Sequence, residues 1–176
     1  FESEHAVLVS LVLVVMITVS SWIALRPIAT ERRRLYPVAL MAIAVAGLPV
    51  LFLTTEWVLD ITPWYAPRYL IPLAGMIFAS AMNSVSIAAE RYVSEFSSGL
   101  NHVEARRKAF EAALIPLINS LLAVGLVSLP GMMTGQVLAG ISPLIAVRYQ
   151  ILVMCMLFGS SGIAVACYLY GSKLSY

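Results

Sequence analysis

Long runs without charge decide what this sequence can fold into. Ala6 to Leu25 holds no ionisable residue, and at about 1.5 Å per residue a helix of that length crosses a hydrocarbon core of about 30 Å. Val38 to Leu59 with Glu56 near its end, Leu70 to Ala89, Ala112 to Leu129, and Pro143 to about Tyr170 with Arg148 near its start are the other apolar runs of spanning length. Hydrophobic residues make up 61% of the chain and charged ones 11%, against about 45–50% and 25% in soluble domains. An aqueous core of this size has no use for so much apolar surface. The expected fold is all-α: a polytopic integral membrane helical bundle, five spans in one transmembrane domain, 1–176, with an amphipathic cytoplasmic helix.

The breaks between the runs carry ordinary stop signals. Arg26-Pro27 ends the first, Gly47 and Pro49 with Glu56 predict a kink in the second, and Pro72 opens the third. Asp60 to Tyr69 is a short loop, with Trp57, Trp64, Tyr65 and Tyr69 in or beside it as rings expected at a headgroup boundary. Pro130-Gly131 stops the fourth run, and Gly131 to Pro143 reads as a short re-entrant piece or outer loop. Ser142-Pro143 supplies an N-cap and a first-turn proline for the fifth. Arg26, Arg32, Arg33, Arg34, Arg91, Arg106, Arg107, Lys108 and Lys173 fall on one side of the membrane, Arg68 and Arg148 on the other. That bias puts the first group in the cytoplasm. Phe1 is no initiator, so the chain is expected to continue ahead of it.

The longest charged segment, Glu90 to Glu111, lies between the third and fourth runs. Gly99 divides it, and Asn101 with Glu104 has the spacing of a capping box, so helix, sharp bend, helix is expected. In the second helix Ala105, Ala109, Phe110 and Ala113 share one side, Arg106, Arg107 and Glu111 the other. Glu104 with Lys108 and Arg107 with Glu111 stand four residues apart. Such an amphipathic helix is either a solvated turn that anchors topology or a docking element for a soluble partner.

Several chemistries lack residues. No His-Glu-x-x-His, Gly-x-Ser-x-Gly or phosphate-cradling Gly-x-x-x-x-Gly-Lys motif occurs, and Asp60 is the only aspartate. A net charge of +2 gives no footprint for nucleic acid. Cys155 and Cys167 share no metal or redox spacing and read as packing residues. Within the runs, Asn83, Asn119 and Gln150 either bond across helices or line a pathway. Met132 and Met133 either fill gaps or offer soft-metal thioethers.

Ala-Leu-Ile-Pro-Leu-Ile-Asn-Ser (Ala113 to Ser120), Val-Gly-Leu-Val-Ser-Leu-Pro-Gly-Met-Met-Thr-Gly (Val124 to Gly135), Leu-Ala-Gly-Ile-Ser-Pro-Leu (Leu138 to Leu144) and Arg-Tyr-Gln (Arg148 to Gln150) together resemble the permease family of the Fet-type bacterial iron exporters. Ile71 to Met76 extends the likeness, and plant aluminium-tolerance half-transporters resemble the same pattern. The resemblance implies an ABC transporter permease in the bacterial inner membrane, exporting iron or a related metal ion. It implies a second permease copy and a separate ATPase subunit that holds ATP and Mg, with no cofactor in this chain. Coupling to the ATPase would fall to Glu90, Arg91, Glu95, Gly99, Glu104, Ala105, Arg106 and Arg107. The substrate pathway would fall to Asn83, Asn119, Met132, Met133 and Gln150. Family members carry about seven spans, which places two ahead of Phe1, and at the bend this chain has Gly-Leu-Asn where the family more often has Leu-Gly-Ala. A relay or scaffold subunit that moves no solute is the alternative.

Overall fold

The computed structural model describes residues 2–28, 31–59, 66–125, 127 and 130–172. Six α-helices carry the fold among these residues: α1 Glu2–Ala24, α2 Arg32–Phe52, α3 Pro67–Ser97, α4 His102–Ala123, α5 Gly131–Leu138 and α6 Pro143–Ser172. Asp60 to Tyr65, with Trp64 and Tyr65, and Lys173 lie outside the described residues. Trp57 and Tyr69, on either side of that loop, are exposed as boundary rings are expected to be.

The arginines after the first run do more than mark a side. Arg26-Pro27 winds into one 3₁₀ turn, Arg26–Ile28, which brings Arg32 back over the end of α1. Its guanidinium lies 3.6 Å from the centre of the Trp22 ring, and its Nε donates to the Trp22 carbonyl at 3.1 Å. A cation there meets both the ring face and the negative end of the helix. One turn on, Tyr36 donates its hydroxyl to the Thr18 carbonyl at 3.3 Å. Together these contacts clamp α1 against α2.

Small residues set the remaining contacts, as expected where lipid supplies no hydrophobic drive between helices. A methyl at Gly47 would lie 2.5 Å from Phe78 Cε1, so α2 and α3 touch at that glycine. A methyl at Gly171 would lie 2.8 Å from Val38 Cγ1, which brings α6 onto α2. The Ser80 and Ser161 hydroxyls, 2.9 Å apart, join α3 to α6. Val7, Leu11, Val14, Met41 and Val45 point outward, an apolar surface suited to acyl chains. The kink expected in the second run is a π turn over Leu53–Val58, four residues past Pro49. Wide turns of this kind are one of the few recognised causes of helix bending.

Among the described residues four helices, α1, α2 with its π turn, α3 and α6, are long and apolar enough to cross a membrane. The fourth expected span, Ala112 to Leu129, differs. Its first part continues the amphipathic segment as α4, which ends at Ala123, so the twelve residues from Ala112 to Ala123 rise only about 18 Å. The chain leaves the helix at Val124, whose backbone is extended, and Gly125 follows with φ +81. The stretch from Gly131 to Pro143, expected to be re-entrant or a loop, contains α5.

Candidate functional site

The bend between α3 and α4 forms for local reasons. Gly99 has φ +93, a conformation that strains any residue with a Cβ, and Leu100 donates its backbone N–H to the Glu95 carbonyl at 3.3 Å. The Asn101 side chain then accepts from the Glu104 N–H at 2.9 Å and caps α4. Ala105, Ala109 and Ala113 are fully buried, so α4 turns its alanine stripe inward and packs along α3. With so little side chain between them the two helices lie close.

A charged brace reinforces the bend. Glu95, only 8% exposed, binds Arg91 at 2.6 Å through one oxygen and Lys108 at 3.0 Å through the other. Lys108 therefore crosses to α3, whereas its four-residue spacing predicts a pair with Glu104. Arg107 and Glu111 do pair, at 2.9 Å. That hydrogen bond first, and the Glu111 charge second, raise the Arg107 guanidinium further above its ordinary value. Tyr92 Oη meets His102 Nδ1 at 2.8 Å, and the Phe96 ring stacks on His102 with centres 4.4 Å apart.

Of the residues assigned to coupling, Glu90, Arg91, Gly99, Glu104 and Arg107 are exposed, while Glu95 and Ala105 are buried. The first set forms a surface and the second holds it in shape. Arg106 is half-buried and, with Arg107, Val103, Phe110 and Tyr170, lines a groove of about 330 Å³ between α4 and α6. Lys108, Tyr92, Phe96 and His102 were missed by sequence reasoning. Tyr92 and Phe96 stand four apart on one helix, a signal that was available; the reach of Lys108 across the bend was not.

Asn83, Met132 and Gln150 come together. With Met76, Ser80, Ser120, Met154 and Phe158 they line a cavity of about 440 Å³ among α3, α4, α5 and α6. Ser80 stands near the middle of the apolar run from Leu70 to Ala89, so the end of α4 and the start of α5 meet at membrane depth. Irregular backbone is tolerated there only where protein covers it or where it lines a cavity, and Pro130 and Gly131 do line this one. Gln150 is 6% exposed, and its Oε1 is buried with no hydrogen-bond partner among the described residues. Met133 lies in an adjoining cavity of about 360 Å³, which shares Leu121, Gln150 and Met154 with the first. Asn119 is exposed and lines neither. Among the described residues no group of three or more His, Cys, Asp or Glu gathers to hold a metal ion.

A helical bundle crossing the membrane several times, with a braced bend at one face and an interrupted helix over a midplane cavity, defines a multi-pass membrane protein. The chain belongs to the uncharacterised protein family UPF0014, whose model matches residues 1–106 and 103–176. It is similar to the UPF0014 membrane protein slr1647 of Synechocystis, 37% identical over 89% of this chain and 66% of that protein. It is also similar to the probable iron export permease protein FetB of Escherichia coli, 40% identical over 60% of this chain and 47% of that one. The protein ALUMINUM SENSITIVE 3 of Arabidopsis thaliana is 29% identical over 93% of this chain and 64% of its own. The chain thus spans between about half and two thirds of the length of these relatives. No solved structure matches it.

Proposed function

We propose that this chain is the permease domain of an ATP-driven metal exporter of the bacterial inner membrane, working as a pair with a separate ATPase subunit beneath it. ATP and Mg belong to that subunit. The name of the Escherichia coli relative, a probable iron export permease, supports the class and makes iron the reference cargo. One observation carries the reading: α4 begins at the braced Gly99 bend and ends at the cavity lined by Asn83 and Gln150, so one helix links the charged face to the midplane.

The mechanism follows from that link. The exposed residues Glu90, Arg91, Gly99, Glu104 and Arg107 dock on the ATPase, which closes on ATP and moves the bend. Glu95 and its two partners keep the ends of α3 and α4 together, so the bend moves as one piece. The far end of α4 then shifts against α5 and α6 and opens the cavity to one side or the other.

Ala105→Glu places a carboxylate in a fully buried site, and Gly99→Pro demands a φ near −65° where the chain has +93. Both variants of the full-length protein are expected to insert in the membrane and to lose co-purification of the ATPase. Undiminished co-purification contradicts the coupling role. Efflux of iron from cells with and without the gene tests the cargo.

A further inference from the structure

The groove of about 330 Å³ between α4 and α6 has a wet end and a dry end. α4 starts at the cytoplasmic face and α6 finishes there, so the first turns of one stand beside the last turns of the other. Val103, Arg106 and Tyr170 line the end nearer the cytoplasm, and Phe110 and Ala166, a turn further along each helix, line the deeper wall. Tyr170 is 73% exposed in the last turn of α6, where its apolar run finishes. Exposed tyrosine rings at that level mark the headgroup boundary. The groove therefore runs from the headgroups toward the first acyl carbons.

One cation in it lacks an anion. Of the three basic residues of α4, Arg107 pairs with Glu111 at 2.9 Å and Lys108 with Glu95 at 3.0 Å. Arg106, half-buried in the groove, meets no carboxylate among the described residues. Its Nε donates to the His102 carbonyl of its own helix at 3.3 Å, which leaves both terminal nitrogens to donate elsewhere. Arg106 and Arg107 against Glu111 give the lining a surplus of positive charge. Drawing a cation part-way out of water carries a cost that a well-matched anion offsets, and the guanidinium fork matches the oxygens of a phosphate. An acidic segment of a soluble partner would satisfy the charge but, coming from the aqueous side, would leave Phe110 and Ala166 uncovered. A phospholipid supplies a phosphate for the wet end and hydrocarbon for the dry one.

We propose that the groove between α4 and α6 binds one anionic phospholipid of the cytoplasmic leaflet, its phosphate on the Arg106 guanidinium and the start of an acyl chain along Phe110 and Ala166. A zwitterionic headgroup would bring its own ammonium beside Arg106 and Arg107, so the surplus charge of the lining selects the anionic lipid. Arg107 keeps its pairing with Glu111. A lipid held this way bridges the first turns of α4 to the last turns of α6, and the lipid composition of the membrane then bears on how firmly the bend is held. The site stands whether or not the chain moves a solute.

The test uses the full-length protein, delipidated in detergent and mixed with equal amounts of dioleoyl phosphatidylglycerol and dioleoyl phosphatidylcholine. Native mass spectrometry counts the lipid retained, and Tm is read with each lipid alone. Phosphatidylglycerol is expected to be retained in preference and to raise Tm the more. Arg106→Gln is expected to weaken its retention about fivefold, the factor that about 1 kcal/mol per basic residue gives. Ala166→Phe, at an exposed position of the groove wall, fills the groove without changing charge and is expected to weaken retention as much. Arg33→Gln removes an exposed arginine from the start of α2 and is expected to retain lipid as the parent does. An equal loss in Arg33→Gln shows only a general attraction to a basic face and overturns the site. So does equal retention of the two lipids, or undiminished retention by both groove variants. Stabilisation by inorganic phosphate as large as that by phosphatidylglycerol replaces the lipid with a small anion, and an Arg106→Gln variant that keeps its lipid but sheds the ATPase gives the groove to that partner; either result overturns the proposal.

Discussion

Two regions of this molecule are packed by different rules. Along α2 and α3 a residue is buried on every turn, and the two helices meet at Gly47 with no room for a methyl. Between Leu114 and Leu152, Ala146 and Gln150 are the only buried side chains among the described residues. The first region is a fixed scaffold. The second, which contains the end of α4, all of α5 and the start of α6, buries few side chains within this chain and carries the polar and thioether side chains of the cavities. In the proposed mechanism the first part anchors, and the second, whose faces are open to the bilayer and to segments outside this chain, is the part that works.

Single substitutions break that contrast most clearly. Gly47→Ala drives a methyl into the buried Phe78 ring and is expected to destabilise by about 1–3 kcal/mol, seen as a lower Tm in detergent. Glu95→Gln removes one carboxylate from two ion pairs, but Arg91 and Lys108 are each about half exposed and recover water. The loss is expected to be about 1 kcal/mol by urea titration, and to shrink as salt rises. Arg32→Lys keeps the charge and loses the planar stacking on Trp22, a change of about 0.5–1 kcal/mol in the same assay. Gly135→Ala, in α5, meets nothing within 4 Å and should be neutral, or stabilising by up to about 1 kcal/mol through helix propensity. A Gly135→Ala variant as damaged as Gly47→Ala would erase the distinction between the two regions.

Much of the scaffold was legible in the sequence. Apolar length marked the four helices that, among the described residues, are long enough to cross a membrane, and Gly99 with Asn101 and Glu104 marked the bend and its cap, because these signals are local. The early end of α4 was hidden. Apolarity continues unbroken from Ala112 to Leu129, and a hydropathy run cannot say where a helix stops inside it. Gly125, which takes a positive φ just past the helix end, is the one local signal, and Pro130-Gly131 is a stronger break signal five residues further on. Asn83, Met132 and Gln150 were picked out for polarity or sulfur in an apolar setting, and three different helices bring them to one cavity. Asn119 looked the same in sequence and faces elsewhere, since its direction depends on how α4 rotates against α3. The Glu95 brace needed the bend to be folded before Lys108 could reach it.

The most direct test of the account is a pair of spin-label distances in the full-length permease bound to its ATPase, with Cys155 and Cys167 replaced by Ser. One pair, Leu11→Cys with Val45→Cys, lies within the scaffold. The other, Val45→Cys with Gly135→Cys, spans scaffold and α5. On adding ATP and Mg the first distance is expected to hold, and the second to shift by more than about 2 Å. Equal shifts in both pairs, or none in the second while ATP is hydrolysed, would contradict it.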